Sequence, residues 1–205
     1  NTYSPLRDKF PDQDITISLG ELLKYSISQS DNNACDILIE YAGGIDQVNE
    51  YVKSLGIKDC NLAATEDLMH TSGDAYLNWS TPEEVVRLLN IADKQPLFGT
   101  QYKDFLQAIM QETSTGKDKL KGQLPADVIV GHKTGSSDRN SEGVKIADND
   151  AGVVIMPDGK KYYIAVFVMN SRETDDENAA IIARISRMVY DEYLSENYIS
   201  QEGER

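Results

Sequence analysis

The stretch VVIMPDGKKYYIAVFV, residues 153–168, decides the fold of this chain. Two apolar runs, VVIM and IAVFV, flank the tripeptide PDG at 157–159, which is typical of a hairpin turn. Because both runs are apolar at successive positions, they predict strands buried on both faces, as in a sheet with helices on either side. A third apolar run, VIV at 128–130, predicts another strand, and a final helix from about Asp176 is expected to cover one face.

The first half of the chain predicts helices. Ser18 and Glu21 form a capping box at the start of one helix, and Thr81 followed by a proline marks the start of another. Apolar residues at helical spacing predict three helices before residue 57 and two between residues 81 and 111. Residues 57–79 show no periodicity, and such a long irregular stretch is usually a functional loop.

Composition excludes several classes of function. The 205 residues include 34 acidic and 20 basic side chains, a formal charge of −14, which would repel nucleic acid and anionic membrane surfaces. No apolar run approaches the ~20 residues of a membrane span. The two cysteines, Cys35 and Cys60, lack metal-ligand spacing, and only two histidines are present, so no metal site is predicted. Cys35 lies in an apolar stretch and is expected to be a small buried side chain.

Three short segments carry groups suited to chemistry. Ser30-Asp31-Asn32 lies at the junction of two predicted helices, Lys133-Thr134-Gly135 follows a predicted strand, and Glu66 lies in the irregular stretch between them. In this order they match the signature of penicillin-interacting serine enzymes. The context of Glu66 resembles class A serine β-lactamases, and His70, where most members have asparagine, resembles the PER-like branch.

The resemblance implies a fold. It covers essentially the whole chain, and it implies an α/β (α+β) protein of the serine β-lactamase and penicillin-binding-protein type. A mainly helical lobe is expected over residues 1–120 and the C-terminal part of an α/β lobe over 121–205. The second lobe is expected to hold an incomplete antiparallel sheet covered by the final helix.

The resemblance also implies catalytic roles. Ser30 and Lys133 resemble a hydroxyl and ammonium relay that protonates the leaving lactam nitrogen. Glu66 resembles the general base that activates water to hydrolyse the acyl-enzyme, and it separates a hydrolase from a penicillin-binding protein that stays acylated. The backbone N–H of Ser136 corresponds to one donor of the oxyanion hole.

Further residues are implied to bind substrate. Asn32 would hold the acylamino carbonyl, Thr134 would contact the carboxylate, and His70 would help position the water. An alternative for His70 is a packed structural histidine. The full set implied by the resemblance is Tyr3, Asn32, His70, Thr134, Gly135 and Ser137.

Two departures from the family concern the loop around Glu66. Ala64 replaces an arginine, so the ion pair that commonly ties this loop cannot form. Asp67 replaces a proline, and a cis peptide bond before a residue other than proline costs ~3 kcal/mol. A differently folded loop with a trans bond between Glu66 and Asp67 is therefore expected.

The largest departure is the absence of an upstream Ser-x-x-Lys, which carries the family's nucleophile. Only 29 residues precede Ser30, and none of them contains this motif. Ser114 and Lys117 fit the spacing, but they lie in a glycine-containing loop, where no helix would place both on one face. The chain is therefore interpreted as the C-terminal part of a class A enzyme, inactive alone, with an exposed sheet edge.

The implied activity of the parent enzyme is hydrolysis of β-lactam antibiotics. One alternative is a penicillin-binding transpeptidase or carboxypeptidase, and another is a non-catalytic paralogue that binds β-lactams or muropeptides. No cofactor is implied, because every role uses serine, amide, carboxylate or ammonium groups. The resemblance further implies a small β-lactam as the partner, no nucleic acid or membrane partner, a periplasmic or secreted location, and a monomer when complete.

Overall fold

The structure, a computed structural model, describes residues 2–72 and 76–202, with side chains described up to residue 195. The helices in this part of the chain are α1 (Pro5–Lys9), α2 (Leu19–Ser28), α3 (Asn32–Tyr41), α4 (Ile45–Ser54), α5 (Glu66–Ser72), α6 (Pro82–Lys94), α7 (Thr100–Gln111) and α8 (Asp175–Glu202). The strands are β1 (Cys60–Asn61), β2 (Trp79–Ser80), β3 (Ile129–Ser136), β4 (Lys145–Ile155) and β5 (Lys161–Ser171). None of the described helices is long and apolar enough to cross a membrane.

Local capping explains why the predicted helices form. At the start of α2 the Ser18 hydroxyl accepts a hydrogen bond from the Glu21 amide, and the Glu21 side chain bonds back to the Ser18 amide. At the start of α6 the Thr81 hydroxyl accepts a bond from the Glu84 amide, and Pro82 occupies the first helical position. The five helices predicted before residue 111 are therefore confirmed.

The three main strands form an antiparallel sheet in the order β3-β4-β5. The turn at 157–159 closes the β4-β5 hairpin, with the Gly159 amide bonded to the Met156 carbonyl. Helix α8 covers one face, where Val154 and Ile164 pack with Ile182 in the main apolar core. Helices α6 and α7 contact the other face, so the predicted two-sided burial is confirmed. Among the described residues the outer edge of β5 has no partner strand.

The stretch 57–79 was predicted to be irregular, and this is wrong for part of it. Strands β1 and β2 pair with each other, and α5 begins at Glu66 between them. The first two amides of α5 are bonded to a carboxylate on α3, and only the third is capped locally, by the Thr65 hydroxyl, so the local sequence marks the start of this helix only in part. Residues 73–75 lie outside the described part of the chain. The division into two lobes near residue 120 stays a prediction.

Candidate active site

The connection between α2 and α3 presents Ser30. Its φ of 57° lies in the left-handed region, which is uncommon for a residue other than glycine. The next residue, Asp31, is buried and accepts hydrogen bonds from the amides of Leu6 at 2.6 Å and Ala34 at 2.8 Å. Because Asp31 fixes both the start of α3 and the N-terminal segment, the backbone around Ser30 has little freedom to move.

The side chain of Lys133, within β3, reaches the same place. Its Nζ donates to the Ser30 Oγ at 2.8 Å and to the carbonyl of Thr134. Burial lowers the pKa of Lys133, and the negative charge of Glu66 opposes that change. The fold therefore brings together two motifs that lie 103 residues apart, with a lysine whose proton is more easily given up than usual.

Glu66 is held at the first position of α5 by Asp36, a residue that sequence reasoning missed. The Glu66 amide donates to Asp36 Oδ1 at 2.7 Å, and the Asp67 amide donates to Asp36 Oδ2 at 3.0 Å. Burial raises the pKa of Glu66, the Asp36 carboxylate raises it further, and Lys133 opposes both. The signal in the sequence was a lone aspartate in the apolar stretch of α3. A carboxylate with a raised pKa is suited to accept a proton near neutral pH.

The loop that carries Glu66 is tied by an amide side chain. Asn78 Oδ1 accepts bonds from the amides of Ala63 at 2.8 Å and Ala64 at 3.0 Å, and Asn78 Nδ2 donates to the Ala64 carbonyl at 2.8 Å. Asn78 thus holds the segment around Ala64, where the family commonly uses an arginine. The bond between Glu66 and Asp67 is trans, as predicted.

The end of β3 forms the opposite wall. The Thr134 hydroxyl lies 2.7 Å from that of Thr115, and a side chain added at Gly135 would meet no atom within 4 Å. The Ser137 amide donates to the Ala147 carbonyl at 2.9 Å, which fixes the strand beyond Ser136. This edge of β3 therefore offers open space beside a rigid backbone.

A cleft of about 550 Å³ lies between α5 and the end of β3. His70 is exposed in this cleft, which argues against the alternative of a packed structural histidine. Six of the ten predicted site residues line it: Tyr3, Asn32, Glu66, His70, Ser136 and Ser137. Residues that sequence reasoning missed also line it: Thr2, Met69, Asp138, Arg139, Asn140 and Ile146. Ser30 and Lys133 are joined to each other, and Thr134 and Gly135 lie beside them on β3.

Two other sequence features have clear positions. Ser114 and Lys117 lie outside any helix, as predicted, and the Ser114 amide and hydroxyl both donate to the Ser28 carbonyl. Cys35 is only partly buried, so the expectation of a small buried side chain is wrong. Burial and the charges of Glu66 and Asp36 raise the pKa of Cys35 to about 11, so its thiol stays protonated and is a poor nucleophile.

Comparison with known proteins identifies this arrangement. Residues 4–193 match the β-lactamase enzyme family. A crystal structure of a class A β-lactamase from Bacteroides cellulosilyticus superposes with a TM-score of 0.92 at 89% identity, covering 93% of this chain and 69% of that one. The chain belongs to the class A β-lactamase family.

Within the class A β-lactamases the chain is close to the VEB, PER and TLA branch. It is 39% identical to β-lactamase VEB-1 of Pseudomonas aeruginosa over 95% of this chain. It is 36% identical to the extended-spectrum β-lactamase PER-1 of the same organism over 93%. The predicted PER-like resemblance is therefore confirmed. The chain spans 65% of the length of VEB-1 and 62% of that of PER-1.

Proposed function

We propose that the gene product containing this chain hydrolyses β-lactam antibiotics through a serine acyl-enzyme. The observation that carries the proposal is the contact of 2.8 Å between Lys133 Nζ and Ser30 Oγ, with Glu66 lining the adjacent cleft. A hydrolase needs a proton donor for the leaving nitrogen and a base for the deacylating water, and these groups can supply the two functions.

The nucleophile itself is a separate part of the proposal. The one Ser-x-x-Lys in the sequence, Ser114 to Lys117, is not helical, and the Ser114 hydroxyl is bonded to a backbone carbonyl. We propose that the acylated serine is supplied by a part of the gene product outside these 205 residues, and that this chain is inactive alone.

In the acylation step, the proton of the leaving nitrogen would come from Ser30. The Lys133 ammonium would hold the Ser30 oxygen in place, and its positive charge would stabilise that oxygen until it takes up the proton that the attacking serine releases. The substrate carbonyl oxygen would lie against the open edge of β3, where the Ser136 amide is proposed as an oxyanion donor. One such donor contributes ~10²–10³ in rate.

In the deacylation step, Glu66 would take a proton from water. The contacts with Asp36 fix the backbone of Glu66. The raised pKa of Glu66 makes its carboxylate a better proton acceptor than that of an ordinary glutamate. His70 is four residues later on α5, so the two side chains share one face of the helix, and His70 would help position this water.

Recognition of the substrate would use the remaining predicted residues. Lys133 and Thr134 would bind the carboxylate, and Asn32 would bind the acylamino group. Tyr3 and Ser137 line the cleft, and Gly135 leaves space beside the strand. The proposal includes export to the periplasm or the medium, where β-lactams meet their targets.

The decisive measurement is the intact mass of the complete gene product during incubation with a penicillin. Hydrolysis predicts an adduct of the penicillin's mass that forms and then decays. Exchange of Glu66→Gln removes the base and should leave the adduct in place for far longer, whereas Glu40→Gln, an exposed glutamate on α3, should decay like the wild type. A wild-type adduct that persists would indicate a penicillin-binding protein, and no adduct together with no loss of penicillin would indicate a non-catalytic paralogue.

A further inference from the structure

A buried pair of titratable side chains lies behind the strand that carries Lys133. His132, on β3, is 2% exposed, and Asp150, on β4, is completely buried. The His132 Nδ1 lies 2.9 Å from each carboxylate oxygen of Asp150. The proposed reaction uses neither group. Because burial of a carboxylate costs free energy unless it is well bonded, this pair calls for an explanation.

The strand register shows that space is kept for this pair. His132 lies opposite Gly152, and Thr134 lies opposite Asp150, so the imidazole reaches its partner diagonally. A Cβ at Gly152 would lie 2.8 Å from the Cβ of His132 and 2.3 Å from the carbonyl oxygen of Gly131. The two strands can therefore hold this register only with a glycine at 152.

Further hydrogen bonds fix the side chain of Asp150 and the backbone of His132. Asp150 accepts a bond from the Leu120 amide at 3.2 Å, and the His132 carbonyl accepts one from the Thr113 hydroxyl at 2.6 Å. His132 and Lys133 are consecutive on a strand, so their side chains point to opposite faces of the sheet. The residue before Lys133 is thus held by its side chain and by its backbone.

Charge links the pair to Lys133. Burial lowers the pKa of Lys133, and the groups that oppose this change are Glu66 on α5, Cys35 on α3 and Asp150 on β4. Lys119 acts in the same direction as burial. Asp150 is the member of this set that lies inside the sheet, where bulk water screens its charge least.

A second buried carboxylate on β4 differs from Asp150 in its ion-pair partners. Asp148, two residues earlier on β4, forms ion pairs with Lys119 and Lys145. Among the ion pairs of the described residues, Asp150 has His132 alone as its partner. Asp150 thus has no lysine or arginine partner among the described residues, and its negative charge is one of those that oppose the lowering of the Lys133 pKa.

We propose that His132 and Asp150 are positioning residues, which hold the Lys133 ammonium against Ser30 and stabilise its positive charge from behind the strand. This inference rests on the proposed function for its consequence in catalysis, because the reaction uses Lys133 as an ammonium. Its physical content, an effect on the protonation of Lys133, can be measured without any substrate.

The test uses the complete gene product labelled with ¹³C at lysine Cε, with the Lys133 resonance assigned from Lys133→Arg. Asp150→Asn keeps the size of the side chain and removes its charge, so the NMR titration midpoint of Lys133 should fall by about 0.5 to 1 pH unit. The alkaline limb of the kcat/KM profile for a penicillin should move by the same amount. Asp93→Asn, which removes a carboxylate that bonds α6 to β5, should leave both unchanged.

A second variant separates position from charge. His132→Gln keeps a donor for Asp150 but removes the rigid ring, so KM should rise several-fold while the Lys133 midpoint stays in place. If Asp150→Asn does not fold, the raised KM and the unchanged Lys133 midpoint expected for His132→Gln test the proposal by themselves. Unchanged midpoints in Asp150→Asn, or an unchanged KM in His132→Gln, would overturn it. A shifted midpoint in a protein that never hydrolyses penicillin would refute the proposed function and leave this inference standing.

Discussion

Asp36 governs both the geometry and the charge of Glu66. Its two carboxylate oxygens accept the first amides of α5, and its negative charge contributes to the raised pKa of Glu66. One side chain on α3 therefore fixes the backbone of the proposed base and contributes to how tightly the base holds a proton. Burial is the larger cause of the raised pKa, so removal of Asp36 should reduce the pKa without returning it to the ordinary value.

Exchange of Asp36→Asn should have two effects on turnover. The base must be ionised to accept a proton, so activity is lost as the pH falls through the pKa of Glu66. Without the Asp36 charge that pKa falls, and the acidic limb of kcat should move to lower pH. At pH 7 kcat should decrease, because one capping bond of α5 is lost. The measurement is kcat against pH for the complete gene product.

The matched control is Asp46→Asn, an exposed aspartate on α4, which gives the same change in net charge. Its pH profile should superpose on that of the wild type. An acidic limb that stays in place in Asp36→Asn would show that Asp36 acts on Glu66 through geometry alone.

At the residue scale, the sequence predicts the side chains that belong to short motifs. It does not reveal the side chains whose role depends on contacts with residues distant in the sequence. Ser30, Glu66 and Lys133 could be predicted, because their motifs carry the chemistry in a few letters. Asp36 and Asn78 could not, since their partners lie 30 and 14 residues away in the sequence. Nothing local distinguishes such a capping carboxylate or tying amide from a surface residue.

Two glycines on paired strands should respond differently to the same substitution. Gly152→Ala places a methyl group 2.3 Å from the Gly131 carbonyl oxygen, so the strands must separate, and we expect a loss of more than about 2 kcal/mol in the free energy of unfolding. Gly135→Ala meets no atom within 4 Å and should leave stability nearly unchanged.

Gly135→Ala should instead raise KM, because the methyl group would occupy space on the proposed substrate edge of β3. Urea unfolding and penicillin kinetics on the complete gene product measure the two effects. Equal losses of stability in both variants would mean that the register of β3 on β4 is not as described.

At the element scale, the sequence predicted those elements whose ends are marked locally. The capping box at Ser18 and the turn at 157–159 are signals of this kind. Helix α5 has a local cap in Thr65, but the acceptor of its first two amides is Asp36 on α3, which the local sequence does not show. The short pairing of β1 with β2 was missed because two-residue strands have no period to detect.

At the scale of the whole molecule, Asp93 joins the helices to the sheet. From α6 it accepts bonds from Lys161 Nζ at 2.6 Å and the Tyr163 hydroxyl, both on β5. Partial burial alone would raise the pKa of Asp93, but these bonds outweigh it and lower the pKa to about 2, from an ordinary value of 3.8. The contribution to stability is therefore present above about pH 4 and is lost as the pH falls toward 2.

Exchange of Asp93→Asn should therefore lower the thermal unfolding temperature at pH 7. The difference from the wild type should shrink between pH 4 and pH 2, because the wild-type carboxylate becomes protonated there. Asp104→Asn, an exposed aspartate on α7, should follow the wild-type curve at every pH. A difference that stays constant down to pH 2 would contradict the assigned pKa of Asp93.

The outer edge of β5, which has no partner strand among the described residues, affects how this polypeptide behaves in a cell. Its strand reads KYYIAVFV, rich in aromatic and β-branched residues, and its free N–H and C=O groups are a template for another strand. Produced as these 205 residues alone, the chain should therefore recruit further copies along this edge and accumulate in inclusion bodies. Supplying a complementary strand in trans would then be a route to a soluble product.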